Sequence, residues 1–172
     1  MNPFEPIGWW VEAPRYYRND MGENFRVGRA LLSPERSKGG YDNFRFMRAV
    51  TKGDVCLHLN ESNQIGGISR AEASYKQAPF DVDGTSGMYV PLSGYCDLEP
   101  PLSILTEEYR ERLDHLRKAA KQQDKFFFYT KELKQNMYLT PVSKELLDLL
   151  EDAYSESAGM KLSDMVCLIE NV

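Results

Sequence analysis

The sequence predicts an α+β fold, with strands first and helices mostly late. Three observations carry that expectation. Val55, Leu57 and Leu59 alternate with Cys56, His58 and Asn60, the period of two of a strand that buries one face. Past Thr106 the period changes, and Tyr109, Leu113, Leu116 and Ala120 fall on one helical face with charges opposite. Between the strand-like runs stand glycine and proline punctuators such as Gly39-Gly40, Gly53 and Pro79.

A chain of 172 residues with 42% hydrophobic and 27% charged residues supports one sizeable core, and one domain is the default. The net charge of −5 argues against gripping nucleic acid by bulk electrostatics and leaves room only for a local basic rim. Cys56, Cys96 and Cys167 are odd in number and far apart, which supports neither a disulfide framework nor a zinc knuckle and points to a reducing compartment. Met1 to Glu5 is not a basic-apolar leader, and no apolar run approaches the roughly 18 residues of a membrane span. The expectation is a cytoplasmic protein with no membrane partner.

In chain order, Gly8-Trp9-Trp10-Val11, flanked by Pro6 and Pro14, predicts a first strand that turns its two tryptophans to opposite faces. Arg15 to Gly40 reads as loop, short strand over Phe25 to Leu32, and a polar loop from Ser33-Pro34. Its arginines interleave with tyrosines that suit phosphates and stacked bases. Phe44, Met47 and Val50 are spaced for a short helical turn, which feeds the stretch Lys52 to Ser69. There Lys52-Gly53-Asp54 starts a strand, Glu61 to Gln64 turns, and Ile65 to Ser69 returns as a hairpin partner whose Gly66-Gly67 admit a close neighbour. Arg70 to Tyr75 extends that strand, and Phe80 to Gly87 is a loop. Met88 to Leu92 and Tyr95 to Leu98 form either a strand pair or one bent strand, and Glu99-Pro100-Pro101 is a stop. Thr106 caps a helix with Glu107 and Glu108 in its first turn. Phe126 to Tyr129 is a strand candidate that Tyr138-Leu139 could pair with. Pro141-Val142-Ser143 opens a last helix carrying Leu146, Leu147, Leu150 and Tyr154, and residues 155–172 are weakly patterned apart from Met165 to Ile169.

The usual catalytic constellations are absent: there is no GxSxG elbow, P-loop, HExxH or GxGxxG. His58 is the one histidine in the hairpin, and no second ligand stands at metal spacing, so no metal or cofactor is expected. With Asn60 and Ser69 it offers donors and acceptors of the kind that read a base edge, while tryptophan or tyrosine supplies a stacking wall. An enzyme using His58 with an acidic partner such as Asp54 is the competing reading from another class.

Several of these stretches, in order, resemble one family. Trp9-Trp10-Val11, Leu32-Ser33-Pro34, Asn43-Phe44, Lys52-Gly53-Asp54-Val55, Leu57-His58 and Ile65 to Ser69 are similar to EVE-type, PUA-like domains, which share the fold of YTH domains. Tyr89-Val90-Pro91 with Tyr95, Leu98-Glu99-Pro100-Pro101 and Gln135 to Thr140 resemble the subgroup at the N-terminus of modification-dependent restriction proteins, both McrB-like GTPases and HNH-nuclease fusions. The resemblance covers Gly8 to Tyr154. Leu32-Ser33-Pro34 departs from the family's usual aromatic, small residue and proline, and Gln135-Asn136 from its frequent Gln-Gly pair.

The resemblance implies a curved sheet or small barrel flanked by helices, occupying residues 1–154, with 155–172 as an extension or the start of a linker. It also implies a reader of modified double-stranded DNA that flips the base into an aromatic pocket, as the recognition part of a restriction system whose nuclease or GTPase lies elsewhere. An RNA-binding PUA-like reader of a modified ribonucleotide is the alternative. On this reading Trp10 and either Tyr41 or Phe44 wall the pocket. Ser33, Asn43, His58, Asn60 and Ser69 contact the base, and Arg15, Arg18, Lys38 and Arg45 hold phosphates.

Overall fold

The computed structural model describes residues 7–14, 20–79, 85–119 and 138–169. Seven strands form one mixed sheet: β1 (Trp9–Glu12), β2 (Ala30–Pro34), β3 (Val55–Leu59), β4 (Ile65–Ala71), β5 (Lys76–Pro79), β6 (Ser86–Leu102) and β7 (Leu139–Pro141). Among the described residues three helices follow or flank the last strand: α1 (Glu107–Ala119), α2 (Lys144–Ala158) and α3 (Leu162–Ile169). The order across the sheet is β2-β6-β4-β3-β1-β7, with β5 pairing β6 off this path. The α+β class and the curved sheet are as the sequence led us to expect.

The hairpin of β3 and β4 is the centre of the sheet, antiparallel from Val55 opposite Arg70 to Leu59 opposite Ile65. β1 lies beside β3 in parallel, Trp10 opposite Cys56 and Glu12 opposite His58. Asp54 fastens the starts of these two strands. Buried at 5% exposure, it accepts hydrogen bonds from the Gly8 and Thr51 amides, the Thr51 hydroxyl and the Trp10 indole. A carboxylate withdrawn from water needs such a set of donors.

Strand alternation sorts the side chains into two cores. On one face Val11, Val55, Leu57, Leu59, Ile65 and Ile68 pack against Leu113 of α1, Leu146, Leu150 and Tyr154 of α2, and Leu162 and Val166 of α3. The other, inner face holds Trp10, Leu31, Cys56, Met88, Val90 and Leu139, closed below by Met47 and Val50. The two tryptophans therefore do face opposite ways: Trp9 packs on the helical core and Trp10 in the inner one. Each fully buried aliphatic or aromatic side chain contributes about 1.5–3 kcal/mol, so both cores matter to stability.

Some local expectations are corrected. Met88 to Leu98 is one strand, and Glu99-Pro100-Pro101 does not stop it, because β6 runs on to Leu102. Both prolines fall in the register shift between the pairs Gly67–Asp97 and Ile65–Leu102, where no ladder amide is needed. The extension of β4 expected over Arg70 to Tyr75 holds only for Arg70 and Ala71. That strand ends at Ala71 and a separate β5 pairs Tyr89 through Lys76. β2 begins at Ala30 and continues through Ser33-Pro34, since Ser33 pairs Met88 along β6. Ser86 and Gly87 are strand rather than loop. α2 begins as expected at Ser143, whose hydroxyl accepts from the Leu146 amide, but it is not the last helix: α3 adds Leu162, Met165 and Val166 to the helical core. Phe126 to Tyr129 and Ala120 lie outside the described residues.

Candidate functional site

The parallel pairing of β1 and β3 sets Glu12 next to His58 on the inner face, two residues along from the Trp10–Cys56 pair. The contact is polar and fully buried. Glu12 Oε2 lies 2.5 Å from His58 Nδ1, and His58 Nε2 lies 2.7 Å from the Ser69 hydroxyl on β4. From the other side, the Tyr138 hydroxyl donates to Glu12 Oε1 at 2.5 Å and accepts the Leu32 amide at 2.8 Å. Glu12 is 0% exposed, His58 2% and Ser69 0%, so protein donors stand where water would.

This chain of contacts also shapes the sheet. β2 and β7 are the two ends of the strand order, and the Tyr138 phenol, at the entry to β7, bonds the outward amide of Leu32 in β2. One hydroxyl thus ties the two ends of the curled sheet and anchors Glu12. Burial, and then the Glu12 and Asp54 carboxylates, push the neighbouring Cys56 thiol well above its ordinary pKa.

Ser69, His58 and Glu12 stand in the order of a nucleophile, base and orienting acid. Access argues against that use. Ser69 sits mid-strand with no exposed surface. The acidic partner of His58 is Glu12; Asp54, expected from sequence, holds the Trp10 and Gly8 N–H groups instead.

Of the residues expected at a base site, His58 and Ser69 are bonded to each other, and Phe44 is half-buried with its ring centroid 6.1 Å from that of Tyr138. Ser33 lies on the inner face with Leu31, next in chain to the Leu32 amide that binds Tyr138. Its hydroxyl is buried at 1% residue exposure with no hydrogen-bond partner among the described residues. Trp10 is 7% exposed, tilted against Phe46 at 6.2 Å, with its N–H held by Asp54. Tyr41 stands out at 72% exposure in a loop, and Asn43 is half-buried before the 3-10 turn Arg45–Ala49. Asn60 is not brought to the others. Its carbonyl oxygen caps the hairpin turn by accepting the Ser62 and Gln64 amides, and its amide donates to Gln64. Lys38 is exposed, and Arg45 lies over the Phe46 ring at 4.7 Å. Arg15 and Arg18 lie outside the described residues.

The two hairpin glycines have different neighbours. A Cβ on Gly66 would lie 3.1 Å from that of Asn60, and one on Gly67 would lie 2.5 Å from the Tyr95 hydroxyl. Tyr95, on β6, covers the inner face beside His58 with ring centroids 5.7 Å apart. Three residues of this neighbourhood escaped the sequence reading as contacts: Glu12, Tyr138 and Tyr95. Glu12 had a signal, being in phase with Trp10 on a strand. Tyr138 stood in the Gln135 to Thr140 stretch of the resemblance, but nothing local tied it to Glu12, 126 residues away.

Away from this face, a surface cavity of about 890 Å³ opens between α1 and α2, lined by Glu107, Glu111, Asp114, Glu145 and Asp148 among others. Its six carboxylates outnumber Arg110, Arg112 and Lys118 in the same lining, a net acidic balance that does not favour a nucleic-acid backbone. Among the described residues no group of three or more His, Cys, Asp or Glu is placed to hold a metal ion, and no helix is long and apolar enough to cross a membrane.

No family model and no curated protein matches the chain. It is similar to several solved structures. A hypothetical protein from Leishmania major is 13% identical with a TM-score of 0.49, covering 88% of this chain and 97% of its own. Human THYN1, solved in complex with DNA containing 5-methylcytosine, is 12% identical with a TM-score of 0.45, covering 88% and 98%. The N-terminal domain of Staphylothermus marinus McrB is 13% identical with a TM-score of 0.44, covering 84% and 94%.

Proposed function

We propose that this chain is a reader of a modified base in double-stranded DNA, taking the flipped base against the inner face of the sheet. The observation that carries this reading is the inner face where the half-exposed Tyr95 ring lies over His58 of the Tyr138–Glu12–His58–Ser69 contacts, and where the Ser33 hydroxyl is buried with no hydrogen-bond partner among the described residues. A buried hydroxyl left unpaired costs free energy that a ligand's donor or acceptor recovers. Phe44 supplies aromatic surface nearby for stacking, which offsets the few kcal/mol of flipping. Lys38 and Arg45, together with Arg15 and Arg18, are the phosphate contacts of this proposal, and a nuclease or GTPase on another domain or subunit would act on the marked DNA.

The test is fluorescence anisotropy with matched duplexes carrying cytosine or 5-methylcytosine, then other modified bases, at moderate salt. Preference for one modified duplex by tenfold or more is expected; equal affinity across the panel refutes the proposal. Competition by single-stranded RNA bearing the modified base, at lower concentration than the duplex, would favour the RNA-reading alternative. The order Ser69, His58, Glu12 favours a second reading, a serine hydrolase. Covalent labelling of Ser69 by a fluorophosphonate would establish it; the expected outcome is no labelling of the folded protein.

A further inference from the structure

The Tyr95 ring lies in a slot that two glycines from separate parts of the chain create for it. Gly28, just before β2, is buried with φ +83°, and a Cβ there would meet the ring at 2.2 Å. Gly67, within β4, is buried too, and a Cβ there would meet the hydroxyl end of the same ring at 2.5 Å. The slot therefore has bare backbone at two points and the His58 ring alongside, tilted by 53°. Its shape is that of a planar aromatic ring. Yet Tyr95 remains 41% exposed, and its hydroxyl donates to Asp97, itself exposed, at 2.9 Å. The residue before it, Gly94, has φ +61°, a left-handed backbone conformation within β6 where its register with β4 shifts between Ile68 and Arg70.

We propose that the slot between Gly28 and Gly67 is a seat for a heteroaromatic ring, filled at rest by Tyr95 and given up to the flipped base. This inference rests on the reading of the chain as a base reader, and it adds a competitor that sets affinity. A site open only a fraction of the time binds more weakly by that fraction. Removing the competitor should therefore tighten binding, whereas removing an ordinary stacking wall should loosen it.

The experiment compares the wild-type chain with Tyr95→Ala and with Asp97→Ala, which keeps the ring and removes the hydrogen bond from its hydroxyl to Asp97. With the modified duplex the wild type prefers, both variants should bind more tightly, Tyr95→Ala by about tenfold if the seat is filled nine-tenths of the time. Unchanged or weaker binding in both variants overturns the proposal. If no duplex binds any of the three proteins, the reader function fails by itself, and the seat is then tested with free 5-methylcytosine and adenine by amide NMR. Saturable shifts at Gly28 and Gly67 in Tyr95→Ala, abolished by adding Gly67→Ala, support the seat; absence of saturable shifts overturns it.

Discussion

Replacing Tyr138 by phenylalanine tests whether one hydroxyl both closes the sheet and supports the buried acid. The substitution keeps the ring that packs near Phe44 and removes two hydrogen bonds, the one accepted from Leu32 and the one donated to Glu12. Leu32 is only 4% exposed, and the opposite edge of its strand is already paired with β6, so its amide is left without a partner at a cost of about 1–3 kcal/mol. Glu12 loses a donor to a carboxylate with no exposed surface, a further ~1.5–3 kcal/mol. These terms are coupled, and a net loss of about 3 kcal/mol is a fair expectation. For a chain of this length each kcal/mol lowers the melting temperature by about 2–4 °C, so circular dichroism should register a fall of about 6–12 °C. Tyr109→Phe is the control. Its hydroxyl donates to Glu156, an exposed residue, and its loss should cost under about 1 kcal/mol. If Tyr138→Phe melts within about 2 °C of the wild type, or no lower than the control, the phenol is not tying the sheet ends.

Ser33→Ala separates stability from binding. Deleting an unpartnered buried hydroxyl should leave the melting temperature unchanged or higher, while a lost contact to the base weakens modified-duplex affinity by about fivefold; unchanged affinity would remove Ser33 from the site. Ser143→Ala removes the α2 cap and should cost about 1 kcal/mol by urea titration, with Ser143→Asp restoring most of it. Burial pushes up Cys56 and Tyr154, and burial with Glu156 raises Tyr109 to about 12. The unfolded chain therefore loses these protons first, and stability should fall as pH rises from about 8.5 towards 12. A flat profile across that range would contradict the raised values. At pH 8 a thiol reagent should label exposed Cys167 quickly and Cys56 only on unfolding.

Much of the sheet was legible because strand periodicity is local. Val55, Leu57 and Leu59 announced the helical core, and the opposite placement of Trp9 and Trp10 followed from their adjacency. The prolines at 100 and 101 misled because a stop signal in sequence is indistinguishable from a register shift, which depends on the partner strand. The same limit applied to Gly66 and Gly67. That something approaches them was readable; that it is Asn60 in one case and Tyr95 in the other is a property of the folded sheet. His58 and Ser69 could be suspected together from the hairpin, but their partner Glu12 arrives from 46 residues before His58, by a parallel pairing that no turn announces.

That parallel pairing bears on how the chain reaches its structure. β1 is made early but sits between β3 and β7, with Trp10 opposite Cys56 on one side and Pro141 on the other. Neither neighbour is close in sequence, and long-range pairings of this kind slow folding because loop closure precedes their reward. On a ribosome the first strand can pair β3 once residue 58 has emerged, but its other edge, and the Tyr138 donor to Glu12, must wait until residues beyond 141 have emerged. The β3–β4 hairpin, whose closest pair spans Leu59 to Ile65, can form in the meantime and serve as the template. The acid of the candidate site would then gain its second partner, Tyr138, last, so that the site is assembled only when the sheet is complete.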